Sequence, residues 1–494
     1  MWDSCASDGL RRREFLALNG ALGASVLFSG LVGEAAPAGE SGMTPLSKAR
    51  PRVLAAFLYP PADVVNAGKM EDSWAPHQWF TWPGNQFQPE VQQQKFTAKI
   101  RELGEALGID IAFAPQAIYQ QAKANEFIAE AKRSAPDAVL IVNFWNTLSK
   151  RAHQMATESA PTAIVYHSLG SNHQLPPEYL RLAEGLYYIH SIENFDEIER
   201  GLRAVRASKM LAQSRLLRVA GNVKSVTVSR EKALGVEIVS VPAGELNALF
   251  DAITPDDALR REAMEFKNQA VRVSDVSDDY LVEAMRAHRA VRQIVDRYGA
   301  DAVTIECLML KHRKPCISFA LNNGTLLPSG CENHLDATLT LMLGRWLLDR
   351  GGFQHNPEFD TSENRYFASH CTCALKLHGP QGKSQPFAVR PFFHQLPKTA
   401  ALDVQWTPGE PILVAKYQSG KDTLSCWRGT VIESPASPPT GGCATRVLME
   451  IDGVPDVCGI YSGPHPVLFC GDRGDARRFR AFARMYRLKL EGNV

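Results

Sequence analysis

The sequence predicts a mixed α/β protein: two Rossmann-like domains with parallel sheets, followed by a small C-terminal β-barrel-like domain. Short apolar runs alternate with helical patterns from about residue 47 to residue 379. Continuously apolar runs of this kind are typical of parallel strands that helices cover on both faces. After Gly379, proline and glycine become frequent and short strand patterns follow one another, which predicts an all-β domain.

A length of 494 residues fits about three domains, each large enough to bury its own core. The expected boundaries are 47–216, 217–379 and 380–494. In the first domain, strands are predicted at 53–59, 109–113, 137–143 and 163–167. In the second, strands are predicted at 217–220, 236–241, 302–305 and 316–320.

The charge balance excludes a large basic surface. The chain has 54 Lys and Arg against 53 Asp and Glu, a formal net charge of +1. Nucleic-acid binding needs clustered positive charge to displace the counterions of the phosphates. We therefore expect no nucleic-acid partner.

The first 38 residues predict a twin-arginine signal peptide. Arg12 and Arg13 precede a weakly apolar stretch at 17–33, and small residues at 35, 36 and 38 resemble a cleavage site. A chance arginine run or an uncleaved membrane anchor is the alternative. The expectation is export by the twin-arginine translocase, a periplasmic or secreted location, and no membrane span after signal removal.

The cysteines predict buried free thiols. Of ten cysteines, Cys5 would leave with the signal peptide, and the remaining nine cannot all pair within one chain. Buried thiols behave as small apolar side chains.

Four side chains suggest a metal site. Glu332 stands at the head of an apolar helical stripe, and Asp360, His370 and His465 follow at strand or loop ends. Each has an ordinary alternative: a carboxylate stabilised at a helix N-terminus for Glu332, a turn residue for Asp360, a core histidine for His370 and a loop residue for His465. Together, carboxylates and imidazoles suit manganese, iron or zinc.

A family resemblance rests on these residues and their neighbours. The segments that carry it are Cys331-Glu332, residues 335–342, Phe359-Asp360, residues 368–371, Gly441-Gly442, and His465 with Gly471-Asp472. In this order and spacing the sequence resembles the fucose isomerase and arabinose isomerase superfamily of sugar isomerases, over roughly residues 215–490.

The resemblance implies a divalent metal, most often Mn²⁺, bound by Glu332, Asp360, His370 and His465. It implies interconversion of an aldose and a ketose through an enediol, with Glu332 and Asp360 as catalytic carboxylates. The metal would stabilise the charge that develops on the carbonyl oxygen. The sequence assigns neither the sugar nor the carboxylate that acts as base, and a homo-oligomer is expected only by resemblance.

Three further residues are candidates for substrate binding. Trp145 and His167 end predicted strands of the first domain, where α/β sheets often place ligand contacts. Ordinary packing at a strand end is the alternative for both. Glu306 ends a buried strand of the second domain and is the third candidate.

Two features depart from the resemblance. His334 stands where family members often carry an acid, and export is unusual for a sugar isomerase. Two other functions therefore stay open: an exported enzyme that cleaves glycosidic bonds with the same carboxylates, and a non-catalytic periplasmic sugar-binding protein. In all three, the partner is a small carbohydrate.

Overall fold

The computed structural model of the chain describes residues 42–67, 88–168, 177–392, 396–437 and 442–494. The predicted signal peptide at 1–38, with Cys5, Arg12 and Arg13, lies outside the described residues. The described chain forms two compact units. Unit 1 comprises residues 49–209 and 481–488, and unit 2 comprises residues 42–48, 210–480 and 489–494. The α/β class is confirmed, but the predicted count of three domains is not, because 217–379 and 380–480 share unit 2.

Unit 1 contains a five-stranded parallel sheet of order β2-β1-β3-β4-β5. Its strands are β1 (Arg52–Leu58), β2 (Asp110–Phe113), β3 (Ala138–Asn143), β4 (Ala163–Ser168) and β5 (Leu186–Ser191). The helices are α1 (Ala62–Asn66), α2 (Pro89–Leu107), α3 (Gln121–Ser134), α4 (Ser149–Ser159), α5 (Glu178–Arg181) and α6 (Phe195–Ala212). Every residue of β3 and β4 is buried, as expected for parallel strands covered on both faces.

Unit 2 begins with a second five-stranded sheet of order β11-β10-β6-β8-β7. Its strands are β6 (Arg215–Ala220), β7 (Thr227–Arg230), β8 (Glu237–Pro242), β10 (Ala302–Ile305) and β11 (Ser329–Cys331). All pairings are parallel except that of the edge strand β7. The helices are α7 (Ala243–Ala252), α8 (Asp257–Gln269), α9 (Asp278–Arg297), α10 (Cys316–Gly324) and α11 (Leu335–Leu348).

The predicted strand at 316–320 is wrong, because these residues begin helix α10. A short apolar run does not distinguish a strand from a buried helix by its periodicity alone. All five residues are buried in the helix, and Pro315 stands at its N-cap. The place beside β10 is instead taken by β11.

The second sheet of unit 2 is largely antiparallel, with the order β12-β20-β17-β18-β19-β14-β13 and β21 beside β18. Its strands are β12 (Phe353–Gln354), β13 (Asn356–Asp360), β14 (Arg365–His370), β17 (Pro411–Gln418), β18 (Thr423–Glu433), β19 (Thr445–Ile451), β20 (Val467–Cys470) and β21 (Lys489–Gly492). Strands β12 and β13 form the two opposite edges of this sheet, yet only His355 separates them along the chain. The sheet must therefore curl to bring its edges together. It begins at Phe353, before the predicted boundary at 380.

A three-stranded sheet and one helix complete the fold. The sheet has the order β16-β15-β9, with β9 (Arg272–Val273), β15 (Phe387–Phe392) and β16 (Leu396–Val404). The last helix is α12 (Arg473–Met485). In the part of the chain that the structure describes, no helix combines the length and apolarity needed to cross a membrane.

Helix α11 joins the two large sheets of unit 2. It contacts β10 and β11 on one side and β17 and β20 on the other. The approach to β20 is close, since a Cβ on Gly344 would overlap the ring of Phe469. The N-terminus of α11 is thereby fixed beside the segment that leads into β20, and the candidate site lies there.

Candidate metal centre

Glu332 lies in the tight turn between β11 and α11. Glu332 and Asn333 both have left-handed backbone, with φ of 57° and 56°. Non-glycine residues rarely adopt positive φ, and such backbone occurs preferentially at functional sites. The Asn333 N–H donates to Ile305 O at 3.1 Å, and the Nδ1 atom of His334 caps the helix by accepting from Ala337 N at 3.2 Å. The turn that presents Glu332 is therefore held from both ends.

Gln354 fixes the strand end that precedes Glu332. Its Oε1 accepts from Cys331 N at 2.8 Å, and its Nε2 donates to Cys331 O at 3.1 Å. The Gln354 side chain thus makes one bond to the backbone N–H of Cys331 and one to its C=O, as the backbone of a neighbouring strand would. Gln354 is fully buried, so water does not compete for these bonds.

His370 and His465 come from the curled sheet. His370 is the last residue of β14, and His465 lies in the loop before β20 with a φ of 59°. The loop is anchored by two bonds: His355 N donates to Pro466 O at 3.1 Å, and the buried Lys416 ammonium donates to Pro464 O. The backbone of His465 is therefore held in place on both sides.

Both imidazoles face the carboxylate of Glu332. His370 Nε2 lies 3.6 Å from Oε1, and His465 Nε2 lies 3.5 Å from Oε2. Within the described residues, Nδ1 and Nε2 of His370 and Nδ1 of His465 are buried without a hydrogen-bond partner. Ligands of a tetrahedral ion, bound at 2.0–2.2 Å, lie about 3.3–3.6 Å apart. The observed separations are too long for good hydrogen bonds, and each one taken separately matches the spacing of two ligands on an ion.

The charges of the three groups are coupled. The neighbouring His370, helped by His465, lowers the pKa of Glu332 despite the opposing effect of burial. Burial opposes protonation of His370, but the Glu332 carboxylate, together with Cys443 and Cys307, outweighs it, so the pKa of His370 is raised. Burial, with the nearby His370, lowers the pKa of His465 to about 3. Without an ion, the cluster therefore holds an ionised carboxylate and a neutral His465.

Cys331 lies beside this cluster. One ligand atom each of Cys331, Glu332 and His370 lie within 4.8 Å of one another. However, the Cys331 sulfur faces that of Cys307 at 2.9 Å, and burial raises the Cys331 pKa well above its usual range. Thiolate, not thiol, binds metals, so Cys331 is a weaker donor than the two imidazoles. All nine cysteines in the described ranges are free, and seven of them are buried.

The structure does not bring Asp360, a predicted ligand, to Glu332. Asp360 is exposed at the end of the β13–β14 hairpin, and its Oδ1 accepts from Ser362 N, Ser362 Oγ and Glu363 N. In the register of the hairpin, Asp360 lies opposite Arg365, which is five residues before His370 along β14. At about 3.4 Å per residue, that places it roughly 17 Å of strand from His370. Asp360 is the turn residue that the alternative interpretation described.

Glu306 lies at the same sheet edge as Glu332. Ile305 and Cys331 are in register on adjacent strands, so Glu306 and Glu332 end neighbouring strands. The Oε2 atom of Glu306 accepts from Gly221 N at 2.7 Å, just beyond the third strand, β6. Parallel sheets commonly place functional groups at this carboxyl edge.

Trp145 and His167 belong to unit 1. Trp145 is buried after β3, where its backbone N–H donates to Asn143 Oδ1 at 3.0 Å. His167 is buried within β4, with its ring 5.3 Å from that of His190, and burial lowers its pKa to about 3. Their role in substrate binding stays a prediction.

Two residues of the centre were missed by sequence reasoning, Lys416 and Gln354. Lys416 interrupts the apolar strand β17 and is only 2% exposed, and burial lowers its pKa to about 8. A lone lysine inside an apolar strand is a usable signal. The sequence carries no such signal for Gln354, because its role depends on a partner 23 residues away.

Comparisons with known proteins add little. No family model matches the chain, and no curated protein matches it. Among solved structures, the XylFII molecule is 10% identical, covering 52% of this chain and 80% of its own, with a TM-score of 0.17. An ABC transporter solute-binding protein from Burkholderia multivorans is 13% identical over the same shares, also with a TM-score of 0.17. Likenesses this low carry no argument about function.

Proposed function

We propose that this chain is a divalent-metal-dependent enzyme that interconverts an aldose and a ketose through an enediol. One observation carries the proposal: the two oxygens of Glu332 face Nε2 of His370 and Nε2 of His465 at 3.6 and 3.5 Å. Buried polar atoms are normally paired, and Nε2 of His370 is buried without a hydrogen-bond partner in the described part of the chain. A cation at this point would pair that nitrogen and account for the two separations.

The proposed ligands are Glu332, His370 and His465. Without Asp360, the set is one carboxylate and two imidazoles, which fits Zn²⁺ or Fe²⁺ as well as the Mn²⁺ that the sequence resemblance implies. When bound, the metal would supply positive charge to a carbonyl oxygen of the substrate.

The protein groups would then move the protons. Glu332, held ionised between the imidazoles, is a poor proton carrier once it is a ligand. We therefore assign the transfer between C1 and C2 to Glu306, the second carboxylate at this edge of the sheet. The N–H of Gly221 fixes one oxygen of Glu306 and so orients the group. Trp145 and His167 belong to unit 1, and their contact with a sugar stays a separate prediction.

The two rival functions need different groups. Glycosidic cleavage uses two carboxylates that flank one bond. Asp360 lies at the far end of its hairpin, but Glu306 stands at the same sheet edge as Glu332, so the product and not the carboxylates separates this rival from the isomerase. A sugar-binding protein has no need of unpaired buried imidazoles around a carboxylate. Export by the twin-arginine route to the periplasm or beyond, and a homo-oligomeric state, complete the proposal.

The test combines metal content with a panel of free aldoses and ketoses. Purified wild-type protein should contain a metal that Glu332→Gln lacks, and should interconvert at least one sugar pair when loaded with Mn²⁺ or Zn²⁺. Asp360→Asn is the matched control, because it makes the same change at a carboxylate that the structure places elsewhere. It should retain the metal and the activity.

The outcomes separate the functions. Metal binding without sugar conversion would remove the isomerase and leave a different metal enzyme. Sugar binding without metal would favour the binding protein. Loss of metal in Asp360→Asn but not in Glu332→Gln would overturn the proposed centre.

A further inference from the structure

A second group of ligand-type side chains lies elsewhere in unit 2. One ligand atom each of His378, Glu410 and Cys470 lie within 4.8 Å of one another. His378 Nε2 is 2.8 Å from Glu410 Oε1. The Cys470 residue is 1% exposed, whereas the Glu410 and His378 side chains are 11% and 49% exposed. The cluster therefore runs from a buried thiol to an imidazole at the surface.

Three separate segments hold these residues. Cys470 ends β20 and is in register with Ile412 of the adjacent strand β17, and Glu410 immediately precedes β17. The Glu410 backbone is fixed because its N–H donates to Thr407 O and its C=O accepts from Val431 N. Pairing of the two strands thus fixes the carboxylate and the thiol at one sheet edge.

The turn that carries His378 is restrained as well. Gly379 follows it with a φ of 91°, and a Cβ there would lie 2.6 Å from Asp349 O. Only glycine fits this backbone, so the position of His378 is set by the turn and not by the His378–Glu410 contact alone.

The nearby positive charge is already neutralised. Arg350 Nη1 donates to Cys470 O at 2.6 Å and to Asp475 Oδ2 at 2.7 Å. Because Asp475 pairs with the guanidinium, Arg350 does not compete for Glu410, which faces His378 and the Cys470 thiol. Burial and the Glu410 carboxylate raise the pKa of this thiol, as burial does for Cys331, so a cation must displace the thiol proton when it binds.

We propose that His378, Glu410 and Cys470 bind a divalent cation of the zinc type. Nitrogen, oxygen and sulfur donors together select zinc over magnesium, calcium or manganese. Tetrahedral zinc ligands lie about 3.3–3.7 Å apart, so the 2.8 Å pair must separate by less than about 1 Å. The exposed side of His378 leaves the fourth position open to water. The site shares no residue with the Glu332 centre and does not depend on the proposed function.

Cobalt(II) is the probe, because a bound thiolate gives it a charge-transfer absorption that nitrogen and oxygen ligands do not. The experiment uses the full chain carrying Glu332→Gln and His465→Gln, which disables the first centre. This protein should bind one cobalt with a thiolate band, and zinc should displace it. Adding Cys470→Ser should abolish the band, and adding His378→Gln should weaken cobalt binding by at least about tenfold.

Cys458→Ser is the matched control, since Cys458 is an exposed cysteine in the short 3-10 helix Val457–Ile460, and the band should survive this change. His378 is half exposed, so its variant is expected to fold even where Cys470→Ser does not. No cobalt binding, cobalt without a thiolate band, or a band that His378→Gln leaves unchanged would each overturn the proposal.

Discussion

Oε2 of Glu332 and Nε2 of His465 are 3.5 Å apart, and both residues have left-handed backbone, with φ of 57° and 59°. They come from different sheets of unit 2, one after β11 and the other before β20. Two strained residues rarely face each other without a reason, because each such conformation costs of order 1–3 kcal/mol. We therefore expect changes in the residues that support these two positions to alter stability or metal binding.

Gln354 should be required for the stability of the turn that presents Glu332. Gln354→Ala leaves Cys331 N buried without a partner, while Cys331 O keeps the His334 N–H at 3.2 Å, and we expect a loss of about 1–3 kcal/mol in the free energy of unfolding. Urea denaturation measures it. Gln94→Ala, an exposed change on α2, should stay within about 0.5 kcal/mol of wild type. Equal stability of both variants would show that Gln354 does not stabilise the turn that presents Glu332.

Lys416 should act as a positioning residue for His465. Lys416→Met keeps the length of the buried side chain but removes the donor to Pro464 O, so the His465 loop loses an anchor. We expect metal affinity to fall by about tenfold or more. Calorimetric titration with Mn²⁺ or Zn²⁺ measures it. Lys421→Met, an exposed lysine just beyond the same strand, is the control and should bind as wild type does.

His355 should make stability depend on pH. Its Nδ1 must donate to Phe353 O at 3.1 Å, since a carbonyl only accepts, so Nε2 accepts from Tyr366 Oη at 2.7 Å. The folded imidazole is neutral because burial lowers its pKa to about 3. The unfolded chain takes up a proton below about pH 6.5, so stability falls as pH falls, until the folded pKa is reached.

The size of this effect can be measured with one variant. At pH 5 the His355 contribution is roughly 2 kcal/mol. His355→Gln keeps a donor and an acceptor without a titrating group, so its free energy of unfolding should fall less between pH 7 and pH 5. Identical pH profiles for the two proteins would mean that His355 is already protonated when folded.

Gly330 should tolerate no side chain. A Cβ there would overlap Thr338 Oγ1 and lie 3.3 Å from Thr304 Oγ1. We expect Gly330→Ala to lower the free energy of unfolding by about 1–3 kcal/mol and to weaken metal binding by displacing Glu332. Gly420→Ala, where a Cβ meets open space, is the control and should change neither quantity. A stable Gly330→Ala protein with full metal affinity would contradict the packing described here.

Local patterns predicted the parts of the fold that depend on local interactions. The apolar runs at 53–59 and 137–143 are strands, and the long amphipathic patterns are helices, because burial on both faces and helical spacing leave clear marks in the sequence. The run at 316–320 failed, since five buried residues fit a helix as well as a strand. The β layer likewise began earlier than expected, because β12 to β14 are short and carry no composition change.

The candidate site divides in the same way. The sequence by itself determined that Glu332 heads the helix α11 and that the chain carries suitable imidazoles, since residue type and spacing are local properties. Only the tertiary structure decided that His370 and His465 meet Glu332 while Asp360 does not. Strand register sets that outcome: the β13–β14 hairpin puts its two ends about 17 Å apart, and the packing of α11 against β20 brings together residues separated by more than a hundred positions.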